Sequence, residues 1–134
     1  MPAHFLATLP NFLAYLATAI VLLVAFVTIY LYVTPYDEIA LIRGNNTAAA
    51  FSLSGALLGF AMPIANVIAH SDTLLDLAVW GVVAGVVQLL AWGVARVALP
   101  QLQENIAAGR TAPATFVAAL SITVGLLNAA CMTY

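Results

Sequence analysis

Six polar side chains lie within or between the apolar segments of this 134-residue chain, and their types could bind a proton, a cation or a polar solute. They are Asn66, His70, Asp72, Asp76, Gln88 and Asn128. Histidine titrates near neutral pH and carboxylates supply negative charge, so the residues around His70 form a candidate polar cluster. An amide such as Gln88 is unfavourable in hydrocarbon unless it is hydrogen-bonded, so it must face another helix or water.

The same residues also have structural explanations. Thr73 followed by Asp76 is typical of a capping box, in which side chains bond the backbone at the start of a helix. Gln88 can bond a serine of a neighbouring helix and so hold two helices together. The candidate serines are Ser52, Ser54 and Ser121. The sequence leaves both interpretations open.

Motifs of known catalytic chemistry are missing from the sequence. There is no HExxH, no GxSxG, no phosphate-binding loop and no CxxC. Two histidines and one cysteine do not provide the spacing of a metal site. We therefore expect no enzymatic activity, no cofactor and no resident metal.

Four apolar segments must position these polar side chains, and each is long enough to cross a bilayer. They cover about 11–33, 47–69, 74–97 and 112–132, and a spanning helix needs about 20 residues. Hydrophobic residues make up 65% of the chain and charged residues 6%, against roughly 45–50% and about 25% in soluble domains. The sequence therefore predicts an all-α integral membrane protein, with residues 1–134 in one transmembrane domain.

The distribution of arginine predicts the orientation. The chain has no lysine, and its basic residues are Arg43, Arg96 and Arg110. Four spans place all three on one side, and an excess of arginine marks the cytoplasmic face. We predict cytoplasmic loops at 34–46 and 98–111, with both termini on the periplasmic or outer side. So few cations exclude a nucleic-acid-binding surface, and the expected partner is the lipid bilayer.

The two arginine-bearing loops share a pattern at an offset of 65 residues. Pro35 and Gly44 of the first loop align with Pro100 and Gly109 of the second. Because proline favours the first turn of a helix and glycine the residue after its end, each loop is predicted to contain a short interfacial helix. The chain is therefore predicted to consist of two parallel two-helix repeats. The repeat halves are about 5–70 and 71–134.

The first loop also carries two adjacent carboxylates, Asp37 and Glu38. Thr34 with Asp37 matches a capping box and predicts the start of the interfacial helix. Arg96, near the inner end of the third span, is expected to be neutralised by Glu104 or by one of these two carboxylates.

Small residues recur with helical spacing along the last three spans, as expected where helices associate in lipid. The residues predicted at these contacts are Gly55, Gly59, Gly81, Gly85, Ser121 and Gly125. Pro63 is expected to kink its helix and to free a backbone carbonyl near Gly59. The first span is rich in large apolar residues and is predicted to be the most lipid-exposed. Its predicted packing residues are Ala14, Ala17, Thr18 and Ala25.

Several short segments of the chain together form a recognisable pattern. They are GNNTAAA at 44–50, GALLGFAMP at 55–63, HS at 70–71, Trp80, VQL at 87–89 and GLLNAACMT at 125–133. With these segments the chain resembles the YjfL-like family (domain of unknown function 350) of small bacterial inner-membrane proteins. The resemblance covers nearly the whole chain. It implies four spans, a duplicated two-helix unit and a location in the bacterial inner membrane, and it assigns no biochemical role.

Three functional hypotheses are compatible with these observations. The preferred one is a self-assembling scaffold or stress-linked accessory membrane component, with a homodimer favoured. The alternative is a small ion or solute channel or transporter, with a path lined by Asn66, Gln88 and Asn128. The third is an outward-facing pH or cation sensor that uses His70 and its acidic neighbours. A conducting path needs Gln88 in contact with solvent, whereas a scaffold buries it away from water.

Overall fold

The computed structural model describes residues 2–34, 37–71 and 73–132, with side chains from residue 6 onward. Every regular element in these ranges is an α-helix. The helices are α1 (Pro2–Val33), α2 (Glu38–Arg43), α3 (Thr47–His70), α4 (Leu74–Ala98), α5 (Leu102–Ala107) and α6 (Thr111–Cys131). Four of them are long and apolar enough to cross a membrane, namely α1 from Leu6 onward, α3, α4 and α6. The prediction of an all-α chain with four membrane-spanning helices is confirmed.

Side-chain caps explain where three of the helices begin. Asn46 and Thr73 accept backbone N–H bonds at the starts of α3 and α4. For α2 the cap is Asp37, whose carboxylate accepts a backbone N–H at 3.2 Å. The predicted capping box of Thr34 with Asp37 is therefore wrong, because the Thr34 hydroxyl contacts Glu38 instead, at 2.8 Å. Pro35, an anchor of the predicted repeat, lies outside the described residues.

α1 extends further towards the N-terminus than the predicted span. The helix runs from Pro2 through Pro10, whereas the apolar segment begins near residue 11. Pro10 has no N–H and leaves the carbonyl four residues before it without a helical partner. Only about two turns precede Pro10, so the missing bond lies near the start of the helix rather than in its middle.

The four long helices alternate in direction. The arginine end of the bundle is the end that holds Arg43, Arg96 and Arg110 together with α2 and α5; the histidine end holds His70 and Ser71. α3 and α6 run in parallel from the arginine end to the histidine end, while α1 and α4 run back.

α1 joins the bundle through large side chains rather than small ones. Phe26 and Tyr30 are almost fully buried, whereas Ala17 and Ala25 are exposed. Gly85 of α4 leaves a recess for Phe26, since a Cβ at Gly85 would already lie 3.6 Å from that ring. The prediction that Ala17 and Ala25 pack α1 is therefore wrong, whereas the other two predicted residues, Ala14 and Thr18, are half-buried. At the contact with α4, the small residues lie on α4 and large residues of α1 fill the recesses they leave.

α3 and α6 form the most extensive helix contact of the described chain. Gly55 packs against the backbone of Ala118, and Gly59 packs against the carbonyl of Ser121. Gly125 in turn packs against the backbone of Gly59. No Cβ fits at any of the three glycines, because the atoms it would meet belong to backbone that cannot turn aside. The two helices therefore touch along two successive turns.

This contact also explains the proline inside α3. Pro63 cannot donate to the carbonyl of Gly59, four residues earlier. That carbonyl oxygen faces Gly125, where a hydrogen stands in place of a Cβ. The arrangement is a Cα–H···O contact, a weak bond that recurs where helices approach closely. The freed carbonyl is thus covered by α6 rather than exposed to lipid.

Candidate functional site

Gln88 lies inside the bundle, where α4 meets α6. Its side chain is 1% exposed, and its Nε2 donates to the backbone carbonyl of Ser121 at 3.0 Å. A Cβ at Gly59 would lie 2.6 Å from this Nε2, so that glycine makes room for the amide. The Oε1 atom is buried and has no hydrogen-bond partner among the described residues. Gln88 therefore faces another helix and not bulk solvent.

Replacing Gln88 by leucine is expected to lower the free energy of unfolding by less than about 1 kcal/mol. Interhelical hydrogen bonds in membranes contribute about 0.6 kcal/mol on average, and removal of the unpartnered Oε1 offsets part of the loss. Reversible unfolding in mixed detergent micelles measures the change, with Val86→Leu on the exposed face of α4 as the matched control. A much larger loss would contradict the interpretation that Gln88 contributes one interhelical hydrogen bond.

Two asparagines near the histidine end complete the polar contacts of α6. Asn66 donates from its Nδ2 to the carbonyl of Ala129 at 2.8 Å. Asn128 has a buried Nδ2 without a hydrogen-bond partner among the described residues. Amides of α3 and α4 therefore bond backbone carbonyls of α6, in a setting where lipid provides no hydrophobic drive for helix association.

The predicted polar cluster at the histidine end is mainly a helix-capping arrangement. The Nδ1 of His70 lies 2.9 Å from the carbonyl of Asn66 in its own helix. The hydroxyl of Ser71 donates to Asp76 at 3.1 Å, and the N–H of Asp76 donates to the hydroxyl of Thr73 at 3.2 Å. His70 and Asp76 remain exposed. Asp72, the remaining predicted member, lies outside the described residues.

The candidate polar residues that the structure describes do not converge on one site. They are Asn66, His70, Asp76, Gln88 and Asn128. Gln88 follows Asp76 by twelve residues on α4, which places it about 18 Å further along the helix axis. Between Gln88 and the asparagines, the backbones of α3 and α6 touch at Gly59 and Gly125. Within residues 2–34, 37–71 and 73–132, no group of three or more His, Cys, Asp or Glu side chains could hold a metal ion.

At the arginine end, Arg96 contacts an aromatic ring. Its guanidinium lies 5.5 Å from the centroid of the Trp92 ring, which is a cation–π distance. The predicted carboxylate partners differ in position, because Asp37 and Glu104 are exposed whereas Glu38 is buried. Glu38 is therefore not the surface counter-charge that was expected for Arg96.

Glu38 is the residue whose role the sequence-based prediction missed. It is 0% exposed, and burial raises the pKa of its carboxyl group from 4.5 to about 7, although the hydrogen bond with Thr34 acts in the opposite direction. Its Oε2 has no hydrogen-bond partner among the described residues. The sequence contained one hint of this role, because the predicted 65-residue offset pairs Glu38 with Gln103, an uncharged side chain of the same shape. In the structure the Oε1 of Gln103 is also buried, without a hydrogen-bond partner among the described residues.

Comparison with known proteins gives the family. The model of the Domain of Unknown Function (DUF350) family matches residues 4–132. The UPF0719 inner membrane protein YjfL of Escherichia coli is 37% identical over 131 residues, which cover 98% of this chain and 99% of that protein. The UPF0719 transmembrane protein YshE of Bacillus subtilis is 33% identical over 79 residues, 59% of each chain.

No solved structure matches the chain. The family match spans all four membrane helices, and the full-length relative is an inner membrane protein. The predicted resemblance is confirmed, and the chain is a multi-pass inner-membrane protein that belongs to the DUF350 family.

Proposed function

We propose that this protein is a membrane scaffold or accessory component, possessing no enzymatic activity, that acts by assembling with itself and with other membrane proteins. The observation that carries the proposal is the close packing of α3, α4 and α6 around Gln88. Gln88 is buried and bonded to α6, and the α3–α6 backbones touch at Gly59 and Gly125. A path through one copy would have to separate these helices.

The faces available for assembly support the proposal. In the most apolar stretch of each helix, only 11% of the residues of α1 and 28% of those of α4 are buried inside the bundle, against 56% for α3. On α4, Gly93 has open space where a Cβ would be. We propose a homodimer whose axis runs along the membrane normal, because parallel repeats and an isologous interface are compatible with that symmetry.

The proposed topology has two parallel two-helix repeats with the arginine end in the cytoplasm. Its support is the pairing of α2 and α5, two six-residue helices at one end of the bundle, each followed by a long helix. The three arginines at that end favour the cytoplasmic side, and both termini then lie on the outer side. α2 and α5 are proposed to lie at the membrane interface.

The main experiment counts subunits. Cys131 is the only cysteine of the chain and is exposed, so a single maleimide dye labels each copy. In sparsely loaded liposomes, stepwise photobleaching is expected to show two dyes per spot. Dilution with an excess of unlabelled protein should convert these spots to one dye. Single steps at every protein density would contradict the proposed dimer.

A transport function is the second candidate, and the buried unpartnered atoms favour it. Ser52 Oγ, Gln88 Oε1 and Trp92 Nε1 all lie inside the described bundle without a hydrogen-bond partner, and waters commonly satisfy such groups. The scaffold proposal predicts no flux of ions or small solutes into proteoliposomes. Flux that disappears in Gln88→Leu, a variant expected to fold, would favour transport instead.

A sensor remains the third proposal, supported by the exposure of His70 and Asp76. It requires that acidification through the histidine range, or added divalent cation, changes the stability of the protein. Loss of that response in the double variant His70→Ala with Asp76→Asn would support it. A response that persists in the double variant would remove it.

A further inference from the structure

No counter-charge lies against the buried carboxyl group of Glu38 among the described residues. Asp37, Asp76 and Glu104 are exposed, whereas Glu38 is 0% exposed. An ionised carboxylate in such a place needs a cation or several donors, since removing the charge from water is strongly unfavourable. Within the described part of the chain, the hydrogen-bond partner of Glu38 is the hydroxyl of Thr34, 2.8 Å from its Oε1.

The geometry around Thr34 fits a protonated carboxyl group. The hydroxyl oxygen of Thr34 lies 2.8 Å from Glu38 Oε1 and 3.2 Å from the carbonyl oxygen of Leu31. A threonine hydroxyl has one hydrogen and can donate to only one of these acceptors. If Glu38 carries a proton, it donates to Thr34, and Thr34 donates to Leu31. If Glu38 is ionised, the two acceptors compete for the single hydrogen of Thr34, so at least one of the two bonds is weakened.

Among the described residues, the surrounding helices do not place a compensating charge against Glu38. Between Thr47 and Ala69, α3 carries no titratable side chain. The nearby end of α1 contributes Tyr30, which is buried. The charged groups of this end are Asp37, Arg43, Glu104 and Arg110, which are exposed, and Arg96, which is held against Trp92.

We propose that Glu38 is a proton-binding site that keeps α2 docked on the bundle while the proton is bound and releases α2 when the proton leaves. With only six residues, α2 is too short to be stable as an isolated helix. Its docked state depends on burying Glu38 together with Leu41 and Ile42, which pack against the core. Ionised Glu38 needs water, and water reaches it when α2 lifts away.

Release of α2 also acts on α5. Asn46, between α2 and α3, donates from its Nδ2 to the carbonyls of Ile106 and Ala107, at 3.0 and 3.3 Å. The same side chain accepts the N–H bond that caps α3. A displaced α2 pulls on this junction, so the proton on Glu38 controls the shape of the whole arginine end. The ligand of the site is a proton, and the responding surface is the one formed by α2 and α5.

The first test observes the proton directly. The chain contains two glutamates, Glu38 and Glu104, so protein labelled with ¹³C-glutamate gives two carboxyl signals, assigned with Glu104→Gln. In lipid nanodiscs the Glu38 signal is expected to titrate with a midpoint near pH 7. This measurement needs no change at Glu38. A Glu38 signal that finishes its titration close to the ordinary value of 4.5 would overturn the proposal.

The second test observes the release of α2. Two variants are compared in a Cys131→Ser background, Leu41→Cys at a packed position and Ala40→Cys at an exposed one. The exposed cysteine corrects for the titration of the thiol itself. The ratio of their maleimide reaction rates is expected to rise about tenfold or more between about pH 5 and 9. In Glu38→Gln the ratio should stay at its low-pH value. A constant ratio in the parent, or the same rise in Glu38→Gln, would overturn the release of α2.

Discussion

Replacing Gly125 by alanine is expected to lower the free energy of unfolding by about 2–3 kcal/mol. The new Cβ would meet the carbonyl oxygen and the Cα of Gly59, which are backbone atoms held in α3. α3 and α6 must therefore separate at this turn. Reversible unfolding in mixed micelles measures the change in free energy.

Two other glycines provide matched controls for this substitution. Gly93→Ala places a Cβ in open space, and Gly85→Ala places one at ordinary contact distance, 3.6 Å from Phe26. Both are expected to be neutral or slightly stabilising, because alanine favours a helix by about 1 kcal/mol over glycine. If Gly125→Ala behaved like Gly93→Ala, the close approach of α3 and α6 would be contradicted.

Much of the fold follows from hydropathy and cap residues. The predicted spans at 47–69, 74–97 and 112–132 differ from α3, α4 and α6 by one residue at most at either end. Asn46 and Thr73 cap α3 and α4 because their short side chains reach the first free N–H groups. Such features depend on local sequence, so they can be predicted without knowing which helices touch.

The packing of α1 and the environment of Glu38 could not be predicted in this way. Hydropathy does not say which face of α1 meets α4, so the recess at Gly85 that receives Phe26 is visible only in three dimensions. Glu38 is adjacent to the exposed Asp37 in sequence, yet α2 turns its side chain into the bundle. For the candidate site, the sequence identified Gln88 as a residue that must face a helix or water, but not the Ser121 carbonyl that it bonds.

The stability of the protein is expected to fall as pH rises, because of Glu38. Its pKa is raised in the folded state, from 4.5 to about 7, so the folded protein binds this proton more tightly than the unfolded chain does. The stabilisation is fully present below about pH 4.5 and is lost as pH rises to 7. A shift of this size corresponds to about 3 kcal/mol.

Comparison with Glu38→Gln isolates this effect from every other titrating group. The amide has nearly the same shape as the carboxyl group and carries no charge at any pH, so the variant removes the titration without changing the packed volume. We expect the parent to lose stability relative to Glu38→Gln between about pH 5 and 8, and Glu104→Gln to leave the pH dependence unchanged.

The size of the effect shows whether α2 is released. If α2 stays docked, the difference in free energy of unfolding between the parent and Glu38→Gln reaches about 3 kcal/mol. If α2 is released, the difference stops at the free energy of docking, because ionisation no longer strains the bundle. The largest difference in free energy of unfolding that is reached at high pH therefore measures how tightly α2 is held. If the free energies of the two proteins changed with pH in the same way, Glu38 would not bind a proton in this range.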